Sequence, residues 1–184
     1  MVTIETSRLI LRRWRESDVP VMGEVHADPE VMRWIGDRRV LSPELSRAAI
    51  ERWERAWEDE GFGLFAVELR ETGELAGFAG LAVPLFLPEV LPAVEIGWRL
   101  GRSFWGRGIA TEAATAALRF GFEDCGLERV VSIAQIGNTA SERVMAKLGL
   151  RVERETTVPG NGNAVRVHEL TRARYLARES DRES

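Results

Sequence analysis

The sequence predicts a single α/β domain, and three observations carry that prediction. Runs with strand periodicity alternate with runs carrying helix signals along the chain. A length of 184 residues with 45% apolar content fits one hydrophobic core. In the middle, residues 93–100 read as a strand and an alanine-rich run to Cys125 reads as a helix, and between them Gly106 and Gly108 flank Arg107. Glycines at a helix entrance leave backbone N–H groups unshielded by a Cβ, with the positive end of the helix dipole behind them, which is the makeup of an anion site.

In order, residues 8–14 form a short apolar-rich run, expected as the first strand. Ser17 and Asp18 offer helix caps, Pro20 suits a first turn, and Val21, Met22 and Val25 supply an apolar face. Asp28-Pro29-Glu30 repeats the signal ahead of a short helix expected to stop at Gly36. Ser42-Pro43-Glu44 opens a longer helix, closed by Gly61, with Leu45, Ala49, Trp53 and Trp57 at successive i,i+4 positions. That stripe is expected to be core rather than a substrate-facing wall. Residues 62–69 and 75–83 are expected to pair through a turn holding Gly73, while Gly77 and Gly80 point to a bulge or a close backbone approach.

Residues 84–92 carry three prolines and five large apolar side chains, so the segment is irregular yet asks for burial. Three roles are open to it: lining a substrate mouth, packing on a second subunit, or folding back on its own core. Residues 129–134 read as another buried strand, and Thr139 with Glu142 have the spacing of a capping box for a helix that stops at Gly149. Residues 150–157 and 164–171, around Pro159-Gly160-Asn161-Gly162-Asn163, read as a closing hairpin. One domain is expected over residues 1–177, with the charged residues 178–184 as a frayed tail.

Composition excludes several classes of function. A net charge of −4 argues against nucleic-acid binding through bulk charge and leans weakly toward a cationic acceptor. No apolar run approaches a membrane span and the start lacks the basic and apolar regions of a signal peptide, so a cytoplasmic protein with no membrane partner is expected. A single cysteine, Cys125, excludes an intrachain disulfide and a cysteine-based metal cluster, and two histidines, His26 and His168, make no histidine cluster, so no metal is expected. Cys125 is expected as a buried small hydrophobe.

The glycine stretch admits three phosphate-cradling readings. A P-loop needs Lys-Ser/Thr where Arg107-Gly108 stands, and a dinucleotide fingerprint needs a glycine or alanine where Thr111 stands and a strand directly before Gly106, whereas residues 101–105 intervene. The third is a loop that wraps a pyrophosphate with successive N–H groups over residues 106–110, beside a strand edge able to hold a pantetheine arm. Arg102 and Arg107 then add charge-assisted contacts to the phosphates. A plain strand-to-helix turn accounts for the glycines equally well.

Three ordered segments favour the third reading. Val94-Glu95-Ile96-Gly97-Trp98, Trp105-Gly106-Arg107-Gly108-Ile109-Ala110-Thr111-Glu112-Ala113 and Asn138-x-x-Ser141-x-x-x-Met145-x-x-Leu148-Gly149-Leu150 resemble the GCN5-related N-acetyltransferases. Thr6-Ser7-Arg8-Leu9-Ile10-Leu11-Arg12 and Ala27-Asp28-Pro29-Glu30-Val31-Met32 are similar to the branch of ribosomal-protein alanine and serine N-terminal acetyltransferases. The resemblance implies a mixed, twisted, mostly antiparallel sheet of about six or seven strands with helices on both faces. The sheet would be splayed at its centre, where acetyl-CoA enters as co-substrate without a metal.

By the same resemblance Gly106, Arg107, Gly108, Ile109 and Ala110 hold the pyrophosphate, with Trp105 at the first position of the loop and Thr111 after it. The backbone of Trp98, Arg99 and Leu100 pairs with pantetheine and polarises the thioester carbonyl, and Asn138 holds the arm. Glu95 is the implied base, relayed by a water. Many relatives carry a tyrosine seven residues after the asparagine, but that position is Met145 and the sole tyrosine is Tyr175, which leaves Ser141 as the candidate proton donor. The implied reaction moves acetyl to a primary amine, on a protein N-terminus or a small molecule. The alternative is a non-catalytic acyl-CoA-binding or regulatory module of the same fold. The apolar segment 84–92 leaves a homodimer open.

Overall fold

The structure, a computed structural model, describes residues 2–183. Its strands are β1 (Ile4–Glu5), β2 (Leu9–Arg12), β3 (Leu64–Leu69), β4 (Leu75–Ala82), β5 (Val94–Leu100), β6 (Arg129–Gln135), β7 (Arg151–Thr157) and β8 (Ala164–Thr171). They form one sheet in the order β1-β2-β3-β4-β5-β6-β8-β7. Neighbours are antiparallel except β5 and β6, which run parallel. The strand beyond the expected number is the two-residue β1, too short to leave a periodicity in the sequence.

Alternation along β3 and β4 sorts side chains to two faces. Phe65, Val67, Ala79 and Leu81 meet helix α4 (Ile109–Arg119), whereas Leu64, Ala66, Leu75 and Phe78 lie under α1 (Asp18–Ala27) and α3 (Pro43–Glu60). Helices α2 (Pro29–Met32), α5 (Thr139–Leu148) and α6 (Arg172–Glu183) complete the fold. No helix among the described residues is long and apolar enough to cross a membrane.

The local signals resolve residue by residue. The Ser42 hydroxyl accepts the Leu45 N–H at 3.3 Å to start α3, and Gly61 ends it in the left-handed region at φ 76°. Asp28 caps α2 through the Glu30 N–H at 2.9 Å, but α2 stops at Met32, ahead of Gly36. Ser17 does not cap α1. Asp18 turns back instead, accepting the Arg15 N–H at 2.8 Å and a fork from Arg12 at 2.7 and 2.8 Å, a buried pair that Glu68 extends. The expected Thr139/Glu142 capping box does not form, because Thr139 is already helical and Asn138 is the cap. Asn138 Oδ1 accepts the Ser141 N–H at 3.3 Å, while Glu142 pairs with Arg166.

Helix α4 continues as a π-helical turn, Phe120–Asp124, towards a half-buried Cys125. Where composition points to a frayed tail, α6 runs on to Glu183. Its anchors are Tyr175, stacked on Phe122 at 4.7 Å, and Arg172, which donates to the Phe122 carbonyl. The segment 84–92 folds back on its own core: Leu87 and Val90 are buried against Val131 and Val167, while Leu85 stays exposed.

Gly77 is where the sheet tolerates no side chain. A methyl there would collide with the Arg99 carbonyl oxygen on β5, and its φ of 140° disfavours any L residue. The register of β3 and β4 slips beside it, between Val67 and Glu68. Gly77→Ala is expected to cost roughly 2–4 kcal/mol through overpacking and backbone strain, read as a lowered thermal midpoint.

Candidate active site

The parallel pairing of β5 and β6 is brief: Val94 faces Val130 and Glu95 faces Val131, and there the ladder ends. Beyond it the Ser132 hydroxyl reaches across to donate to the Ile96 carbonyl at 2.9 Å, and the strands part. The gap opens into a cavity of about 490 Å³. One side is the β5 stretch from Ile96 to Arg99; opposite lie Ser132, Gln135 and the start of α5 at Asn138 and Ser141. Trp53, Phe78 and Phe86 supply apolar wall on the α1 and α3 side.

The segment after α2 covers this space and is tied down through one carbonyl. Gly36 O accepts from Gln135 Nε2 at 3.1 Å and from Asn163 Nδ2 at 2.6 Å, which joins the cover to β6 and to the closing hairpin. Next to it Arg38 holds a positive φ of 67°, rare for a residue with a side chain, and donates to Gln135 at 3.2 Å. Trp34 lines the cavity below.

At the β5 end, Gly106 and Gly108 adopt φ of 70° and 77°, turning the chain so that Gly108 is the N-cap of α4 with no side chain capping it. Along residues 106–112 the first backbone N–H with a protein acceptor is that of Glu112, to the Gly108 carbonyl at 3.0 Å. A row of free N–H groups at a helix N-terminus is suited to a phosphate. The loop is clamped from the N-terminal segment: Glu112 accepts from Thr6 Oγ1 at 2.6 Å, Ser7 Oγ at 3.1 Å, Arg8 N at 3.0 Å and Arg8 Nε at 2.7 Å. Arg8 also donates to the Arg107 carbonyl at 2.9 Å. Partial burial opposes ionisation of Glu112, but the bonds from Thr6, Arg8 and Ser7 outweigh it and hold the carboxylate below its usual range.

The acetyltransferase (GNAT) domain profile matches residues 8–151. The chain belongs to the GNAT acetyltransferases. Among curated relatives it is 28% identical over 150 residues to YoaA, an uncharacterized N-acetyltransferase of Bacillus subtilis, across 82% of this chain and 83% of YoaA. An acetyltransferase structure from Agrobacterium tumefaciens is 28% identical with a TM-score of 0.79, covering 92% of this chain and 94% of the other. RimL, a ribosomal L7/L12 alpha-N-protein acetyltransferase solved with coenzyme A, shares the fold at 20% identity and a TM-score of 0.76, over 92% of this chain and 98% of RimL.

GNAT enzymes use acetyl-CoA, and this chain has the features to take it: a split between parallel strands, a row of free N–H groups, and a cavity joining the split to α5. Of the expected site residues, Glu95, Trp98, Arg99, Asn138 and Ser141 come together in the cavity wall. Leu100 is core, and so is Ile109, which anchors α4. Arg102 is paired with Asp28 at 2.9 Å, and the Arg107 guanidinium lies over the Phe104 ring at 5.6 Å, so in this structure each has a protein partner. Trp105 is about half exposed, its indole N–H donating to the Leu100 carbonyl at 2.9 Å. Ala110 and Thr111 lie in the first turn of α4, half-buried.

Glu95 retains some exposed surface, but it faces the cavity rather than open solvent. Loss of hydration is therefore the larger effect on its carboxyl, pushing the pKa up to about 8 against the Ile133 backbone N–H, which favours the charged form. Met145, at the position where the resemblance leads to an expected tyrosine, is buried. Trp57 is core, as the helical stripe predicts, but Trp53 is half-buried and lines the cavity, packed on Phe78 at 4.8 Å and Trp14 at 5.2 Å.

Sequence reasoning missed the Glu112 clamp and the Gly36 cover. The first had a signal, since Thr6-Ser7-Arg8 and Glu112 both fall within the resembling segments. The second had none, because its bonds join residues about a hundred positions apart through a carbonyl.

Proposed function

We propose that this GNAT enzyme transfers acetyl from acetyl-CoA to a primary amine by direct attack, with Glu95 as the base. The observation that carries the reading is the place of Glu95, a carboxyl at the last paired residue before β5 and β6 separate, with its pKa drawn to about 8 by burial. Amide formation needs a proton to leave nitrogen, because an α-amino group titrates near ~8 and a lysine near ~10.4. Acetyl-CoA supplies the thioester: the amine lone pair forms the C–N bond, the C–S bond breaks, and the sulfur leaves to take up a proton. Glu95 accepts the proton lost from nitrogen through a water in the cavity, a task suited to a base titrating near the working pH.

Backbone N–H groups of residues 106–111, at the N-terminus of α4, bind the pyrophosphate. The β5 backbone at Trp98, Arg99 and Leu100 pairs with pantetheine, and an N–H there polarises the thioester carbonyl. Asn138 spends its Oδ1 on the α5 cap, which leaves Nδ2 for the pantetheine arm. Ser141 Oγ donates to the departing sulfur; a thiol with a pKa near ~8.5 needs little assistance. Ser141→Ala is therefore expected to lower kcat by only about tenfold, the worth of one hydrogen bond, with the affinity for acetyl-CoA retained.

The test is thiol release over a panel of N-terminal peptides, polyamines and aminoglycosides. Release with at least one acceptor, slowed at least about a hundredfold in Glu95→Gln, is the expected result. Acetyl-CoA binding with no release from any amine would leave a non-catalytic acyl-CoA-binding module in its place.

A further inference from the structure

Arg99 is an unbalanced cation on the wall of the cavity. Its Nη1 donates to His26 Nε2 at 2.9 Å, and its guanidinium lies over the Phe78 ring at 5.2 Å. Because an arginine can only donate, His26 is the tautomer whose Nδ1–H donates to Ser46 Oγ at 2.7 Å. His26 is wholly buried, and burial together with the nearby guanidinium pulls its pKa down to about 4, so it brings no compensating charge and needs none. Arg99 Nε is buried with no hydrogen-bond partner.

Among the described residues no carboxylate answers this charge. The one acidic residue in the cavity wall is Glu95, on the same face of β5 but four residues away, about 13 Å along the strand. Burial draws the Arg99 pKa down to about 10 with no opposing acid, whereas a partnered arginine such as Arg12 is raised by Asp18 and Glu68. A buried guanidinium with a free N–H is costly unless a partner arrives. A bidentate anion meets that need.

We propose that Arg99 selects the acceptor: the amine carries a carboxylate or phosphate, which the guanidinium holds while the nitrogen lies over Gly97 and within water-relay reach of Glu95. This rests on the acetyl-transfer reading above and names its substrate class. Gly97 makes room for the amine, since nothing lies within 4 Å of where its Cβ would be. Gly97 and Arg99 are two positions apart along β5, so the amine and the anion are about 7 Å apart. The weak lean of the net charge toward a purely cationic acceptor is thereby reversed inside the cavity, where the fixed charge is positive.

The experiment compares matched acceptors: glycine, β-alanine, γ-aminobutyrate and δ-aminovalerate, each beside its uncharged carboxamide, together with aminoalkyl phosphates and short peptides with an acidic or amide second residue. The expected result is a kcat/KM at least tenfold higher for the anionic member of a pair, with the longer spacers favoured. Arg99→Gln should erase that ratio through KM, leaving the dissociation constant of acetyl-CoA within about threefold, and Arg99→Lys should restore part of it. The phosphate and peptide arms show which source of anion the site accepts. A readout independent of turnover is thermal stabilisation of the parent, but not of Arg99→Gln, by γ-aminobutyrate. Equal rates for acids and amides, or an Arg99→Gln loss shared by every acceptor, overturns the assignment while acetyl transfer stands. Absence of thiol release from any amine removes both readings.

Discussion

Glu95→Gln is expected to lower kcat by roughly 10²–10⁴-fold, the range for removing a general base, with acetyl-CoA binding retained. The pH dependence carries the sharper test. With an acceptor amine already neutral at pH 6, the parent rate should rise as Glu95 ionises through about pH 8 and then level off. The variant should lack that limb. A variant that keeps the limb, or that loses cofactor binding along with turnover, excludes Glu95 as the base.

The same residue sets a stability trend whose sign follows from its shift. The folded pKa of about 8 lies above the model-peptide value of 4.5, so the folded state binds this proton more tightly. Its contribution is fully present below about pH 4.5 and is lost as pH rises to about 8, amounting to at most about 5 kcal/mol. Water in the cavity screens the charged form and reduces that figure. Glu95→Gln should therefore raise the thermal midpoint at pH 9 by more than it does at pH 5.

Glu112→Ala is expected to have the second large effect, and on two observables at once. It removes the acceptor shared by Thr6, Ser7 and Arg8, of which only Thr6 is half-buried, and leaves the Arg8 guanidinium its bond to the Arg107 carbonyl alone. The cost should be roughly 2–3 kcal/mol, toward the lower end because Arg8 is half exposed and screened. That corresponds to a fall in thermal midpoint of about 4–12 °C for a chain of this size. Because the same cluster fixes the Arg107 carbonyl, the row of N–H groups should lose its geometry and acetyl-CoA should bind at least tenfold more weakly. Glu112→Gln, which keeps an acceptor but not the charge, should fall between. A lowered midpoint with unchanged cofactor affinity would show that the clamp stabilises the fold without shaping the loop.

Much of the architecture was legible because it rests on local rules. Ser42 with Gly61, the stop at Gly149, and the turn at Gly73 are start and stop signals whose physics lies within a few residues. The misplaced caps show the limit of that reading. Ser17 has the right chemistry, yet Asp18 finds a better partner in Arg12, which comes from the preceding strand and is held by Glu68 from a third element. Residues from 178 on read as frayed from composition alone, whereas α6 runs on to Glu183, with Tyr175 stacked on Phe122 ahead of them and Arg178 donating to the Lys147 carbonyl at 3.2 Å. Trp53 and Trp57 have the same spacing signal but different fates, since only the cavity beside β4 distinguishes a core face from a wall.

By itself the sequence determined the family, the order of elements, and a few of the residues that line the split in the sheet, Glu95, Arg99 and Asn138 among them, because motif and periodicity are properties of neighbouring residues. Tertiary structure decided the charge state and orientation of what meets there. A pKa near 8 for Glu95, a neutral His26 and an Arg99 Nε without an acceptor all come from removal of water by segments distant in the chain. Desolvation depends on everything that surrounds a group, and no local pattern of residues encodes it.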